Sequence, residues 1–179
     1  MMTKNTTNST RQIVLAAMFL ALCMVLPFIT GQIPAIGQAL SPMHIPVLIA
    51  GFVCGPLWAA VIGFIAPLLR FALFGMPPIM PTGIAMAFEL CTYGLVSGLV
   101  YRALAKNTAN VYVTLIVAML CGRVVWGIAR YIMATTSGNA FTFAAFIAGA
   151  FTTAIPGIIL HLILIPVVVI ALRKAKFID

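Results

Sequence analysis

Residues 63–101 read GFIAPLLRFALFGMPPIMPTGIAMAFELCTYGLVSGLVY: two apolar runs flank GMPPIMP, with Arg70 in the first run and Glu89 in the second. A helix crosses a bilayer with about 20 mostly apolar residues, so the second run has the scale of a membrane span, and the first has it once read back to residue 57. Three prolines and a glycine between them remove backbone donors and favour turn geometry, which predicts a sharp break. Helix, break, helix is therefore the unit. Glu89 is one of only two acids in the chain, the other being the terminal Asp179.

The same pattern extends outward in both directions. The 179 residues are 64% hydrophobic and 7% charged, with a mean hydropathy of +1.21, which excludes an ordinary soluble domain. Apolar sequence runs almost unbroken from Ile13 to Leu172. Further breaks are expected at TGQIPAIGQALSP (30–42), CGP (54–56), AKNTAN (105–110) and TTSGNA (135–140). With GMPPIMP these divide the chain into six predicted spans, approximately 12–29, 43–54, 57–74, 82–104, 111–134 and 141–172. The fold class is an all-α membrane protein of six transmembrane helices in one domain. The second span is short, so it forms a tight hairpin with the third or the two divide that crossing differently. The basic-then-apolar N-terminus lacks a small-residue cleavage site after its apolar run and reads as a retained first helix.

The net charge of +8 follows the topology. Lys4 and Arg11 precede the first span, Arg102 lies in the last turn of the fourth and Lys106 between it and the fifth, and Arg173, Lys174 and Lys176 follow the sixth. All fall on one side of a six-span layout, and the opposite loops at 30–42, 75–81 and 135–140 carry no charge. The positive-inside rule then puts both termini in the cytoplasm. A charge distributed in this way gives no support to nucleic-acid binding. The NTT and NST triplets fit a glycosylation pattern but lie on the cytoplasmic tail. Cys23, Cys54, Cys91 and Cys121 have no CxxC spacing, so neither a disulfide framework nor a zinc site is expected.

Four charges remain inside predicted spans: Arg70, Glu89, Arg123 and Arg130. A mid-helix charge costs roughly 2.5–3.5 kcal/mol on insertion scales, so each needs a partner or a route to the interface. Arg70 and Arg130 each lie five residues from an outer break, close enough to snorkel to water or lipid phosphate. Arg123 is deeper. Arg123 and Arg130 are seven positions apart and share a helix face. With three cations to one acid, an anionic ligand entering from outside is one way to complete the balance. Glu89 is either an internal counter-ion or a direct ligand contact.

His44 is expected at the outer surface, facing a cavity or solvent, and His161 reads as a satisfied core histidine. The substrate-binding candidates are His44, Arg70, Glu89, Tyr93, Arg123, Trp126, Arg130, Tyr131, Asn139 and Phe146, the polar ones as contacts and the aromatic ones as walls. Small residues at four-residue spacing, Ala17/Ala21, Gly51/Gly55 and Gly94/Gly98, allow close helix approach. Paired carboxylates, HExxH, GxSxG and Walker A sequences are absent, so no enzymatic function is expected and the chain cannot hydrolyse ATP itself. No inverted internal repeat is evident.

Across nearly its whole length the chain resembles the substrate-binding S components of energy-coupling factor (ECF) transporters. The resemblance rests on the basic tail leading into AAMFLALCMVLPF, on LSPMHIPVLIAGFVCGP, on residues 63–101, and on FIAGAFTTAIPGIILHLILIPVVVIALRK. It implies a multi-pass subunit of a bacterial plasma membrane that captures a vitamin from outside and docks on a membrane coupling subunit carrying two cytoplasmic ATPases. ATP would be used by those partners, and this chain would need no cofactor. It also implies that Ala17 and Ala21 contact the coupling subunit. PMHIP, LFGMPP and AMAFELCTYG look most like the pantothenate-type branch, which borders carriers for pyridoxine and hydroxymethylpyrimidine. Two other readings stay open: an autonomous proton-coupled carrier titrating Glu89, and a scaffold that binds other membrane proteins through its small-residue faces.

Overall fold

The computed structural model describes residues 3–30 and 33–178. Gly31 and Gln32, in the first predicted break, and the terminal Asp179 lie outside them. Among the described residues there are helices and no strands: α1 (Thr3–Ile29), α2 (Pro34–Leu40), α3 (His44–Val53), α4 (Pro56–Phe74), α5 (Ile84–Ala103), α6 (Thr108–Thr136), α7 (Phe143–Ile147) and α8 (Ile155–Lys174). Wide π-type turns at Ile79–Gly83 and Ala148–Thr152 precede α5 and follow α7. Together these make six membrane-length spans: Thr10–Ile29, Ala35–Val53, Pro56–Phe74, Ile79–Ala103, Thr108–Thr136 and Phe143–Lys174.

The second span differs most from the sequence expectation. PAIGQAL, read as loop, is helix α2, because Pro34 occupies its first turn, where no N–H is required. The actual interruption is only Ser41–Met43, and Ser41 takes the left-handed conformation, φ 47 and ψ 53, that ends α2. His44 opens α3 but sits well inside the span, not at its outer surface. At the N-terminus α1 extends back to Thr3, because a helix set by its apolar part adds further turns at little cost. The last span is divided by the π-type turn, and Pro156, in the first turn of α8, marks a new helix start.

The α5 helix is the centre of the bundle, packed against α3, α4 and α6. Its Gly94 and Gly98 lie directly against the backbones of Ala59 and Pro56, so α4 and α5 touch where any side chain would collide. The α1 helix covers α3 and α4, and α8 rests on α2, α3 and α6. At the basic end, Arg11 donates to the Phe177 carbonyl at 3.0 Å, Arg173 to the Lys106 carbonyl, and Lys106 to the Tyr101 carbonyl at 2.7 Å. Part of the charge at this end thus closes backbone carbonyls at helix ends.

Candidate functional site

Four helices deliver polar side chains to one place in the core. The α3 helix brings His44, α5 brings Glu89 and, one turn later, Tyr93; α6 brings Arg123 and α8 brings His161. All are buried, and Glu89 is only 1% exposed. Arg123 Nη1 lies 3.0 Å from Glu89 Oε1, and His44 Nε2 lies 3.6 Å from the same oxygen. Tyr93, one turn along α5 from Glu89, is equally buried at 1% exposure. The His44 ring meets Tyr93 edge-on at 5.3 Å and stacks on His161 at 6.0 Å.

The cluster is electrostatically paired but incompletely hydrogen-bonded. The side-chain polar atoms of the described residues that are buried without a hydrogen-bond partner number five. Four belong here, namely Glu89 Oε1, both ring nitrogens of His44 and Arg123 Nε; the fifth is Gln12 Oε1. The close approach of Arg123 to Glu89 lacks hydrogen-bond alignment. In a low-dielectric interior an unpaired polar atom costs about 1–3 kcal/mol, so native proteins seldom collect several together. Chemically, the cluster offers acceptors and donors within a pair of zero net charge.

The other candidate residues are placed apart. Arg70 is 3% exposed. It donates to the Met24 carbonyl at 2.6 Å and lies between the rings of Phe28 and Phe74, 5.0 and 5.1 Å away. It joins α4 to α1 and stands apart from the Glu89 cluster: its partners are a carbonyl and two aromatic faces, not water or lipid. Arg130 is half-buried at the other end of α6, 5.8 Å from the ring centres of Trp126 and Phe141. No carboxylate lies within ion-pair distance of it among the described residues. Phe146 lies near Trp126 at 6.4 Å, with its ring against Gly127. Tyr131 and Asn139 are exposed and do not reach the cluster. Ala17 and Ala21 lie exposed along the outer side of α1.

His161 is the residue that sequence reasoning undervalued. It is satisfied, as expected of a core histidine, with Nε2 3.3 Å from the Ser41 carbonyl. It is nonetheless a member of the cluster through its stacking on His44. A polar side chain inside GIILHLILIP signalled a need for a partner, but the partner is a backbone carbonyl 120 residues away.

A protein-family model for the substrate-specific component of ECF transporters matches residues 11–169. No curated protein and no solved structure matches the chain. The matched range reaches into all six spans and includes the buried cluster and the exposed alanine pair. The chain therefore belongs to the family of ECF transporter substrate-specific components.

Proposed function

We propose that this chain captures a small water-soluble vitamin at the outer side of the membrane through the Glu89–Arg123–His44 cluster and releases it inward. Membership of the family makes it a multi-pass transport subunit, not an enzyme, associated with a coupling subunit and ATPases. In this reading the basic end faces the cytoplasm, the partners use the ATP, this chain carries no cofactor, and Ala17 and Ala21 meet the coupling subunit.

The observation that supports capture at the cluster is the concentration, on His44, Glu89 and Arg123, of four buried polar atoms that lack a hydrogen bond. An element built only to hold helices together gains nothing from leaving them unpaired. A ligand's hydroxyl, amide or ring nitrogen satisfies them.

A carboxylate vitamin such as pantothenate is the finer proposal, supported by Arg130, a half-buried cation held only by aromatic faces. A neutral pyridoxine- or hydroxymethylpyrimidine-type ligand is the second reading, supported by the internal neutralisation of Arg123 by Glu89. Identification of the small molecule that co-purifies with the protein, followed by calorimetric titration of wild type and Glu89→Gln with a vitamin panel, tests the assignment. Tight binding weakened in the variant is expected. Absence of any bound metabolite and of any response to the panel overturns it.

A further inference from the structure

The three residues Arg123, Gly127 and Arg130 follow one another along a single face of α6. Their environments differ. At Arg123 the charge is already balanced by Glu89 at 3.0 Å. A second carboxylate there would sit beside Glu89 Oε1, and like charges at contact distance in the interior repel strongly. What the deep end lacks is hydrogen bonds, both to donors, at Glu89 Oε1 and a histidine lone pair, and to acceptors, at Arg123 Nε. At Arg130 the situation is reversed: a full positive charge lies over Trp126 and Phe141 with no carboxylate partner. Seven residues of helix at about 1.5 Å each put the two positions about 10 Å apart along the axis.

We propose that the ligand is read at two ends. An uncharged hydroxyl- or amide-bearing end enters the Glu89–Arg123–His44 cluster, and a carboxylate about 10 Å away pairs with Arg130. This rests on the reading of the cluster as the capture site. The region between the ends is Gly127, which has no side chain and is now covered by the ring of Phe146. The middle of the ligand takes the place of that ring. Phe146 belongs to α7, a single short helix with no buried residue, so it is the part of the wall that yields.

Pantothenate and its alcohol analogue, in which a primary alcohol replaces the carboxylate, separate the two ends. In calorimetric titrations the wild-type protein is expected to bind pantothenate about tenfold or more tighter than the alcohol, the scale of one charge-assisted hydrogen bond. Arg130→Gln is expected to bring the two within about twofold, and Glu89→Gln to weaken both by a similar factor. Equal wild-type affinity for the two compounds, no binding of either, or an Arg130→Gln variant that still discriminates, overturns two-ended recognition. A different, neutral vitamin that binds tightly, depends on Glu89 and ignores Arg130→Gln overturns it while leaving the capture site standing. Binding that is indifferent to Glu89→Gln and Arg123→Ala overturns both. Thermal unfolding of each variant in the same detergent identifies any that are not folded, for which Arg130→Met and Glu89→Asp are used instead.

Discussion

The Ser41 carbonyl accepts from two directions: His161 Nε2 approaches it at 3.3 Å and the His44 backbone N–H at 3.0 Å. A carbonyl only accepts, so His161 carries its proton on Nε2. One oxygen thus ties α8 to the start of α3 at the residue whose left-handed backbone ends α2. His161→Phe, which keeps ring volume and removes the donor, is expected to lower stability by about 1–2 kcal/mol. His161→Gln, which can still donate, is expected to lose less. Thermal unfolding of the purified variants checks the order; equal loss in both removes the hydrogen bond from the account.

Glu89 and Arg123 are a buried pair, so removing either partner strands the other. Glu89→Gln and Arg123→Met are each expected to cost about 3–5 kcal/mol, and the double variant less than the sum of the two. A thermal-unfolding double-mutant cycle measures the coupling. Additive losses would mean that the 3.0 Å approach carries no interaction energy.

Arg70 is expected to matter for the fold and not for ligand affinity. Its guanidinium bridges the Met24 carbonyl of α1 and two phenyl rings, so Arg70→Met is expected to cost about 1.5–3 kcal/mol of stability. The affinity of the surviving folded protein for its co-purified ligand should stay within about twofold of wild type. A large affinity loss at unchanged stability would return Arg70 to the site.

Ala17 and Ala21 have open space outside them, and enlarging them leaves the core untouched. Ala17→Leu with Ala21→Leu is expected to leave thermal stability and ligand affinity unchanged and to weaken association with the coupling subunit, measured by co-purification of the whole transporter. Undiminished assembly would move that contact to another face.

The span count was legible because apolar length and Pro-Gly breaks report directly on bilayer crossing. The partition of residues between helix and break was not. PAIGQAL shares Pro, Gly and Ile with GMPPIMP, yet its single proline, Pro34, falls in the first turn of a helix that packs on α8, while Pro77 and Pro78 occupy a break and Pro81 the π-type turn after it. That misplacement put His44 at the surface. Glu89 and Arg123 were recognisable one by one from the cost of charge in a span. Their pairing to each other, with Arg70 turned instead to Met24, depends on which faces of α4, α5 and α6 meet, and no spacing within a single helix encodes that.

The Glu89–Arg123 pair also bears on how the chain is made. Glu89 belongs to α5 and Arg123 to α6, and only the short turn at 104–107 separates the two helices. Delivered one at a time, each helix would bring an uncompensated charge into lipid at about 2.5–3.5 kcal/mol. Delivered as a hairpin, the two bring a neutral couple. The expected consequence is that α5 and α6 insert as one hairpin, and that a chain truncated after α5 inserts that helix less efficiently than one that continues through α6.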